Sequence, residues 1–291
     1  MKRFLKIYLD KPELAGLALL IVLIAVFEIK SNGVLLSFEN IRGVMGLLPE
    51  MALVAIGVTI LMICGEFDLS VGSVFALMPM SIAVMLNAGV PFPAALLLGL
   101  AICALVGLIN GYITLQFAVP SFITTLGMLF IARSLTIVIS GGFPPLLPDD
   151  LPTWLFTDYI WQGAILRMSF VWFAGIALLA AALLSLTNFG NWIRATGGFN
   201  EAAASMGIPV RRVKIVCFML CSMLAGFAGL LQVLRLGSPL PSIGEGLELQ
   251  AVAAAVIGGT ALAGGIGTVF GAIIGTLLIR TIDNGLVLSR V

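Results

Sequence analysis

The 291 residues comprise 60% hydrophobic and only 10% charged side chains, and they include no histidine. A soluble core could not bury so much apolar surface without leaving large apolar patches in water, so the composition indicates an integral membrane protein. At about 20 apolar residues per crossing, the length allows roughly eight to ten transmembrane helices and no additional soluble domain. The formal net charge of +1 provides no basic surface for nucleic acid.

The residues that usually perform catalysis or bind metals are missing or lie in apolar surroundings. The lack of histidine removes the commonest general base and metal ligand, and the four cysteines all lie in apolar runs. Disulfide and zinc sites are therefore disfavoured, and no cofactor is expected. The sequence also lacks a G-x-S-x-G motif and a G-x-x-x-x-G-K-[ST] phosphate loop. We therefore expect a protein that is not an enzyme and that does not bind ATP through a Walker site.

Nine apolar runs follow one another along the chain and are predicted to be membrane-spanning helices. They cover residues 14–29, 43–64, 69–86, 92–115, 122–139, 168–186, 213–234, 249–262 and 266–282. The eighth run is short for a complete crossing. The sequence thus predicts one all-α polytopic membrane domain over residues 1–291, with about nine transmembrane helices, some of them short or broken.

Positive charge predicts the orientation, because loops rich in Lys and Arg remain in the cytoplasm. Four basic residues precede the first run: Lys2, Arg3, Lys6 and Lys11. A second basic cluster follows six crossings later: Arg194, Arg211, Arg212 and Lys214. Both clusters agree with a cytoplasmic N-terminus, which leaves the long loop 140–167 and Val291 outside.

A short polar stretch separates the second and third runs and reads Gly65-Glu66-Phe67-Asp68-Leu69-Ser70-Val71-Gly72-Ser73. It has too few residues for an ordinary loop between two complete spans, so it predicts a broken helix. Carboxylates beside a membrane core are costly unless they are buried in protein or hydrated. Three roles remain open: a cap in which Asp68 or Ser70 accepts free N–H groups of the next helix, a direct ligand contact, or a gate.

A second glycine-rich stretch, residues 257–271, interrupts the last two runs. Its Gly267-Thr268-Val269-Phe270-Gly271 is similar to Gly72-Ser73-Val74-Phe75-Ala76, as expected of transporters built from repeats. Close helix packing through small residues explains the same glycines. Both interpretations predict packing rather than catalysis here.

Several polar residues lie inside the other runs and are expected to face the interior of the helix bundle. The candidates for a solute pathway are Asn110, Thr124, Thr125, Arg133 and Gln232. For each of them, an interhelical hydrogen bond is the alternative role. Arg133 is central in its run and needs a partner, whereas Arg235 and Arg280 lie near helix ends and can snorkel.

The loop at residues 188–212 contains a small polar helix flanked by basic residues. Asn200 is the predicted N-cap, Glu201 lies in the first turn, where the helix dipole favours negative charge, and residues 202–204 are alanines with high helix propensity. Gly207 is the predicted C-cap glycine. A helix of about two turns is too short to be stable alone, so the loop is either a surface linker or a contact for another protein.

Two motifs resemble the ribose/xylose-type permeases of ATP-binding-cassette sugar importers. Residues 197–208 match Gly-Gly-x-Asn-Glu-Ala-Ala-x-x-x-Gly-Ile, and together with Val210-Arg211-Arg212-Val213-Lys214 they resemble the coupling loop of that family. Residues 65–73 resemble its Gly-Gly-x-Asp-Leu-Ser-Val-Gly-Ser signature, with Glu66 in place of the second glycine. The order and spacing of the motifs also correspond, so the resemblance covers nearly the whole chain.

The resemblance implies the permease subunit of an ATP-driven importer for a pentose-like or hexose-like monosaccharide, in the bacterial inner membrane. The implied partners are two cytoplasmic ATPase subunits, a second permease copy or paralogue, and a periplasmic sugar-binding protein. The residues implied to contact the ATPase are Gly198, Asn200, Glu201, Ala202, Ala203, Gly207 and Ile208. The residues that match the signature and are candidates for a gate are Gly65, Asp68, Leu69, Ser70, Gly72 and Ser73.

Members of this family usually continue through one further span and end in the cytoplasm. We therefore expect either that the last helix is missing after Val291 or that the short run 249–262 is arranged differently. A secondary transporter or channel for a small polar solute is the alternative, since such proteins also use broken helices. It predicts an ion-binding carboxylate in mid-membrane, for which Glu66 and Asp68 are the candidates.

Overall fold

The computed structural model describes residues 12–289. Within this range the chain forms helices and connecting segments without a β-strand, and one isolated antiparallel bridge pairs Tyr159 with Arg167. The predicted all-α architecture is confirmed. The four N-terminal basic residues that predicted the orientation, and Val291, lie outside the described residues.

Each of the nine predicted apolar runs corresponds to a helix. In chain order the helices are α1 (Pro12–Lys30), α2 (Phe38–Ile63), α3 (Val71–Asn87), α4 (Phe92–Gln116), α5 (Ser121–Ile139), α6 (Thr153–Phe156), α7 (Met168–Leu186), α8 (Asn188–Gly198), α9 (Asn200–Ser205), α10 (Val210–Leu236), α11 (Leu247–Ile257) and α12 (Val269–Leu288). Six of them, α2, α4, α5, α7, α10 and α12, are long and apolar enough to cross a membrane, while α3 and α11 are shorter apolar helices. Helix α1 is an apolar helix of 19 residues. The remaining short helices α6, α8 and α9 lie in the two longest connections.

Helices α2 and α10 form the centre of the bundle. Helix α10 packs against α2, α3 and α4, and α2 also packs against α7, α11 and α12. Of the residues in the apolar stretch of α2, 94% are buried, whereas only 22% of those in the apolar stretch of α5 are buried. A helix that is apolar on all sides needs either protein or lipid around it, so α2 is enclosed by protein and α5 presents most of its apolar surface outward.

The connections between helices gather at two opposite ends of the bundle. We call one end the Gly197 face; it contains residues 64–70, 117–120, 187–209 and 258–268. The other end is the Tyr159 face; it contains residues 31–37, 88–91 and 140–167. Cross-connections hold each face together, since Gly265 N–H donates to the Ile63 carbonyl (2.8 Å) at the first and Asn87 Nδ2 donates to the Leu146 carbonyl (3.1 Å) at the second.

The connection between α10 and α11, residues 237–246, turns inward from the Tyr159 face. A Cβ on Gly244 would lie 2.5 Å from the Gly72 carbonyl oxygen and 3.1 Å from the ring of Phe75. At about 1.5 Å per residue, Gly72 lies about 22 Å along α3 from Asn87, which is at the Tyr159 face. Helix α11 therefore begins inside the bundle, which explains why it has only 11 residues.

The prediction that Arg235 snorkels to the membrane surface is wrong. Its Nε lies 2.7 Å from Oε1 of Glu50 and its Nη2 lies 3.1 Å from Oε2, with side-chain exposures of 16% and 5%. A lone carboxylate inside α2 would be costly in a membrane. The two-pronged pair allows both charges to stay inside the bundle, where they join α2 to α10.

Gly229 in α10 lies against the backbone carbonyl of Phe75 in α3, and a Cβ at Gly229 would overlap that oxygen. We expect Gly229→Ala to lower the melting temperature of the detergent-solubilised protein, because overpacking a well-packed site costs about 1–3 kcal/mol. Gly175→Ala in α7 is the matched control, since a Cβ there meets no atom within 4 Å. Equal melting temperatures of the two variants would contradict the packing described for α3 and α10.

Candidate functional site

Residues 64–70 form a non-helical stretch between α2 and α3, which we call the break segment. Helix α2 has 26 residues and α3 runs back toward the Tyr159 face, so the segment joins two separate helices and does not interrupt a single helix as predicted. Its backbone is satisfied by side chains of α5: Phe67 N–H donates to Ser121 Oγ (3.1 Å), and Leu69 N–H donates to Thr125 Oγ1 (3.0 Å). The interior of a membrane offers no water, so backbone groups outside a helix need partners within the protein. The hydroxyl groups at the start of α5 therefore hold the break segment open.

Asp68 lies at the centre of the break segment and is fully buried. Its Oδ1 accepts hydrogen bonds from Ser70 N–H (2.8 Å) and Ser70 Oγ (2.6 Å). Its Oδ2 lies 3.5 Å from both Asn110 Nδ2 and Ser222 Oγ, and Asn110 Nδ2 also donates to Ser70 Oγ at 3.0 Å. We call these four residues the Asp68 cluster; it joins the break segment to α4 and α10.

The Asp68 cluster argues against one of the three roles left open by the sequence, a cap in which Asp68 or Ser70 accepts the free N–H groups of α3. Ser70 is the N-cap residue, but its side chain accepts no hydrogen bond from the first turn. Its hydroxyl instead donates to Asp68, and Asp68 accepts the N–H of Ser70 itself rather than the N–H groups of the helix. The buried carboxylate takes both donors because an unpaired charge would cost more than a missing cap.

Glu66 is paired with Lys214 at the start of α10. The distance from Oε1 to Nζ is 2.6 Å, and each side chain is 11% exposed. The charge of Glu66 is therefore already compensated by the protein. Among residues 12–289, no group of three or more His, Cys, Asp or Glu side chains is placed to hold a metal ion.

Three glycine-containing stretches meet in backbone contact at the Gly197 face. Gly65 has a φ of +84°, and a Cβ there would lie 3.4 Å from the Cα of Gly197. A Cβ on Gly197 would overlap the carbonyl oxygen of Ile63, the same oxygen that accepts the N–H of Gly265. A Cβ on Gly265 would lie 2.9 Å from the Cα of Gly198. The break segment, the end of α8 and the segment 258–268 thus touch with no side chain between them.

Helix α9 differs at its N-terminus from the prediction. Its N-cap is Phe199, which has an extended backbone and no side-chain cap, and Asn200 is already the first helical residue. The predicted capping role of Asn200 is therefore wrong, because the turn away from α8 is made one residue earlier. The predicted C-terminal glycine is confirmed: Gly207 has a φ of +83°, and the N–H groups of Gly207 and Ile208 donate to carbonyls of the last turn at 3.0 and 3.1 Å.

Helix α9 faces outward on most sides, but Ala203 does not. Ala203 is 4% exposed, so its side chain cannot make the external contact that the resemblance implied. Two large apolar residues that the sequence analysis did not select flank the helix, Phe199 at 66% and Met206 at 83% exposure. Apolar residues at both ends of a polar loop helix are the signal that could have identified them.

Three of the five candidates for a solute pathway bond to residues 69–72: Asn110, Thr125 and Arg133. Asn110 belongs to the Asp68 cluster and Thr125 holds the break segment, so both make the alternative interhelical bonds. Thr124 is buried, and its hydroxyl has no hydrogen-bond partner in the described part of the chain. Gln232 is half-buried in α10.

Arg133 of α5, the last of these candidates, holds the inward-turning segment 237–246 against α3. Its Nη1 donates to the carbonyls of Pro241 and Ile243, the latter at 2.9 Å, and its Nη2 donates to the Gly72 carbonyl at 3.1 Å. Backbone carbonyls outside a helix need donors at this depth. The partner predicted for this arginine is therefore backbone rather than a carboxylate.

These features define a multi-pass helical membrane protein with a buried polar break segment. The end of α8 is in direct backbone contact with that segment, and the exposed loop helix α9 follows α8. A family model described as "Branched-chain amino acid transport system / permease component" matches residues 40–290. The chain belongs to this family of permease components.

Relatives at 31–38% identity are import permeases. The ribose import permease protein of Escherichia coli (strain K12) is 38% identical over 283 residues, which are 94% of this chain and 85% of the relative. The xylose/arabinose import permease protein of Sulfolobus acidocaldarius is 35% identical over 276 residues, 91% and 75% of the two chains. The autoinducer 2 import system permease protein of Photorhabdus luminescens is 31% identical over 293 residues, 98% and 85% of the two chains. No solved structure gives a significant match. The chain is a translocation subunit rather than an enzyme.

The Glu66–Lys214 pair generates a prediction about stability. Removing one partner leaves a buried charge without compensation, which costs about 3–5 kcal/mol. We expect Lys214→Met and Glu66→Gln each to lower the melting temperature in detergent strongly, and the double variant to recover part of the loss. Arg212→Met is the control, because Arg212 is exposed at the same face and its loss should cost less than about 0.5 kcal/mol. Strictly additive losses in the double variant would show that the two side chains do not interact.

Proposed function

We propose that this chain is the membrane-spanning permease of an ATP-driven importer that translocates a pentose-like or hexose-like monosaccharide. The relatives at 38% and 35% identity are named as ribose and xylose/arabinose import permeases, which supports a sugar of this size. The sugar is delivered by a periplasmic binding protein. ATP is hydrolysed by separate cytoplasmic ATPase subunits, and a second permease copy or paralogue completes the membrane unit.

In this proposal the Gly197 face and the N-terminus lie in the cytoplasm of a bacterium, and the Tyr159 face lies outside the inner membrane. The support is the positive-inside rule, because a basic cluster lies around the Gly197 face: Arg194, Arg211, Arg212 and Lys214. Exposed tryptophans on the Tyr159 face, Trp154 and Trp161, suit a segment at a membrane interface.

The observation that carries the proposal is the backbone contact between Gly197 and Ile63. Helix α9 is the coupling helix within the loop 188–212, and its exposed residues dock on the ATPase. Because no side chain separates α8 from the break segment, a displacement of α9 and α8 by the ATPase moves the end of α2 directly. The proposed ATPase contacts are the exposed coupling residues: Gly198, Phe199, Asn200, Glu201, Ala202, Met206 and Gly207.

The break segment and the first turn of α3 form the gate in this proposal. The Asp68 cluster holds them in one arrangement, and an alternative arrangement must offer Asp68 other donors. ATP binding shifts the population between the two states because the ATPase contacts α9 differently in each of them. Arg133 adds a second connection at the gate, since it binds the Gly72 carbonyl.

Reconstitution tests the proposed function. The permease, its partner ATPase and its binding protein are placed in proteoliposomes, and uptake of labelled ribose, xylose and arabinose is measured with ATP and with a non-hydrolysable analogue. We expect uptake of one of these sugars only with ATP and only with the binding protein. Uptake that is equal with the analogue would exclude an ATP-driven importer and favour a secondary transporter or channel.

Met206→Glu tests the docking surface. Met206 is 83% exposed, so the charge should not disturb folding, but it should prevent an apolar contact with the ATPase. We expect co-purification of the ATPase and ATP-dependent uptake to fall at least about tenfold, the effect of losing about 1.4 kcal/mol of binding. Asn191→Glu, an exposed position of α8 on the same face, is the control and should leave both unchanged. Normal uptake by the Met206→Glu variant would refute the contact.

A further inference from the structure

The Tyr159 face contains an arginine-lined cavity that the proposed transport function does not use. It has a volume of about 240 Å³, and its lining includes Arg42, Arg167, Arg235 and Tyr159. None of its lining residues carries a carboxylate. Glu50, which pairs with Arg235, is 4% exposed and has both oxygens engaged by that arginine. The cavity therefore has an excess of positive charge.

Two of these arginines share one aromatic ring. The Cζ atoms of Arg42 and Arg167 lie 4.0 and 4.1 Å from the ring centroid of Tyr159, which is the range of cation–π contacts. Arg167 also donates to the Thr157 carbonyl at 3.1 Å, so its position is fixed. The Nε of Arg42 is buried and has no hydrogen-bond partner in the described part of the chain. Two positive charges therefore lie at one ring, and one buried N–H donor of Arg42 is unsatisfied. An anion in the cavity would accept from this donor and compensate the charge.

An apolar groove of about 510 Å³ lies at the same face of the bundle. It is lined by Ile41 and Met45 of α2 and by Trp161, Ile165 and Leu166 of the loop. The same two pieces of chain build both features, because Arg42 follows Ile41 in α2 and Arg167 follows Leu166 in the loop. The charged cavity and the apolar groove thus draw residues from the same two pieces of chain, at the end of the bundle that carries the exposed tryptophans.

We propose that the cavity and the groove together bind one anionic phospholipid. The lipid phosphate accepts hydrogen bonds from Arg42, Arg167 and Arg235, and one acyl chain lies in the groove. Guanidinium groups match phosphate oxygens in pairs, and basic pockets between transmembrane helices suit anionic headgroups. A free phosphate has the same headgroup chemistry but leaves the groove empty. The bound lipid would join α2, α10 and the loop 140–167.

Thermal stability in detergent tests the proposal, because a ligand that binds the folded protein raises its melting temperature. The probes are phosphatidylglycerol, phosphatidylcholine with the same acyl chains, and inorganic phosphate. We expect a saturable rise with phosphatidylglycerol and a much smaller effect of the other two. An equal effect of phosphatidylcholine would overturn the anion selectivity, and an equal effect of inorganic phosphate would show a headgroup site without a lipid.

Two variants and a control separate the cavity from general charge effects. Gly43→Leu adds a side chain at a residue that lines the cavity and where a Cβ meets no atom within 4 Å, and leucine favours the helix more than glycine does. We expect Gly43→Leu and Arg42→Gln each to weaken phosphatidylglycerol binding at least about tenfold. Lys30→Gln removes an exposed charge at the same face outside the cavity and should change binding less than about twofold. An unchanged lipid response in both cavity variants would overturn the proposal, whatever their transport activity.

Discussion

A non-helical stretch inside a membrane-spanning helix bundle must find a partner for each of its backbone polar groups. The break segment meets this requirement with three different kinds of partner. Ser121 and Thr125 accept its N–H groups through their hydroxyls, Asp68 accepts the N–H of Ser70, and Gly265 donates to the carbonyl at the end of α2. The positions of α5 and of the segment 258–268 around α2 follow from this requirement.

The same requirement explains why glycine occurs where the three stretches meet. The Ile63 carbonyl oxygen accepts the N–H of Gly265 and also contacts Gly197, so a Cβ on Gly197 would overlap that oxygen. Side chains can change rotamer to absorb a displacement, whereas two backbones in contact cannot. A contact of this kind is well suited to transmit a movement of α8 and α9 to the end of α2 and the break segment. This transmission is the mechanical basis of the proposed coupling.

The sequence was sufficient to predict the helices because the apolar runs are local features, and α7 begins and ends at the predicted residues Met168 and Leu186. The predictions that failed depend on what lies opposite a residue. Arg235 meets Glu50, a residue distant in the sequence, and Ala203 faces the bundle because of how α9 docks. Asn200 is the first helical residue and not the N-cap, because the kink after α8 comes one residue early and puts Phe199 at the N-cap position. None of these facts is encoded in local spacing.

The break segment and the segment 258–268 are connected through the end of α2. Gly72 follows the break segment and Gly267 precedes α12, and these are the residues in which the sequence shows its short internal similarity. A Cβ on Gly267 would lie 2.7 Å from the Ile63 side chain, so Gly267 lies close to the end of α2. Arg133 binds both the Gly72 carbonyl and the inward-turning segment 237–246. The segment 258–268 supplies the N–H of Gly265 to the carbonyl at the end of α2. A movement of the end of α2 must either break this bond or carry the segment with it, so in the proposed mechanism the segment 258–268 moves together with the gate.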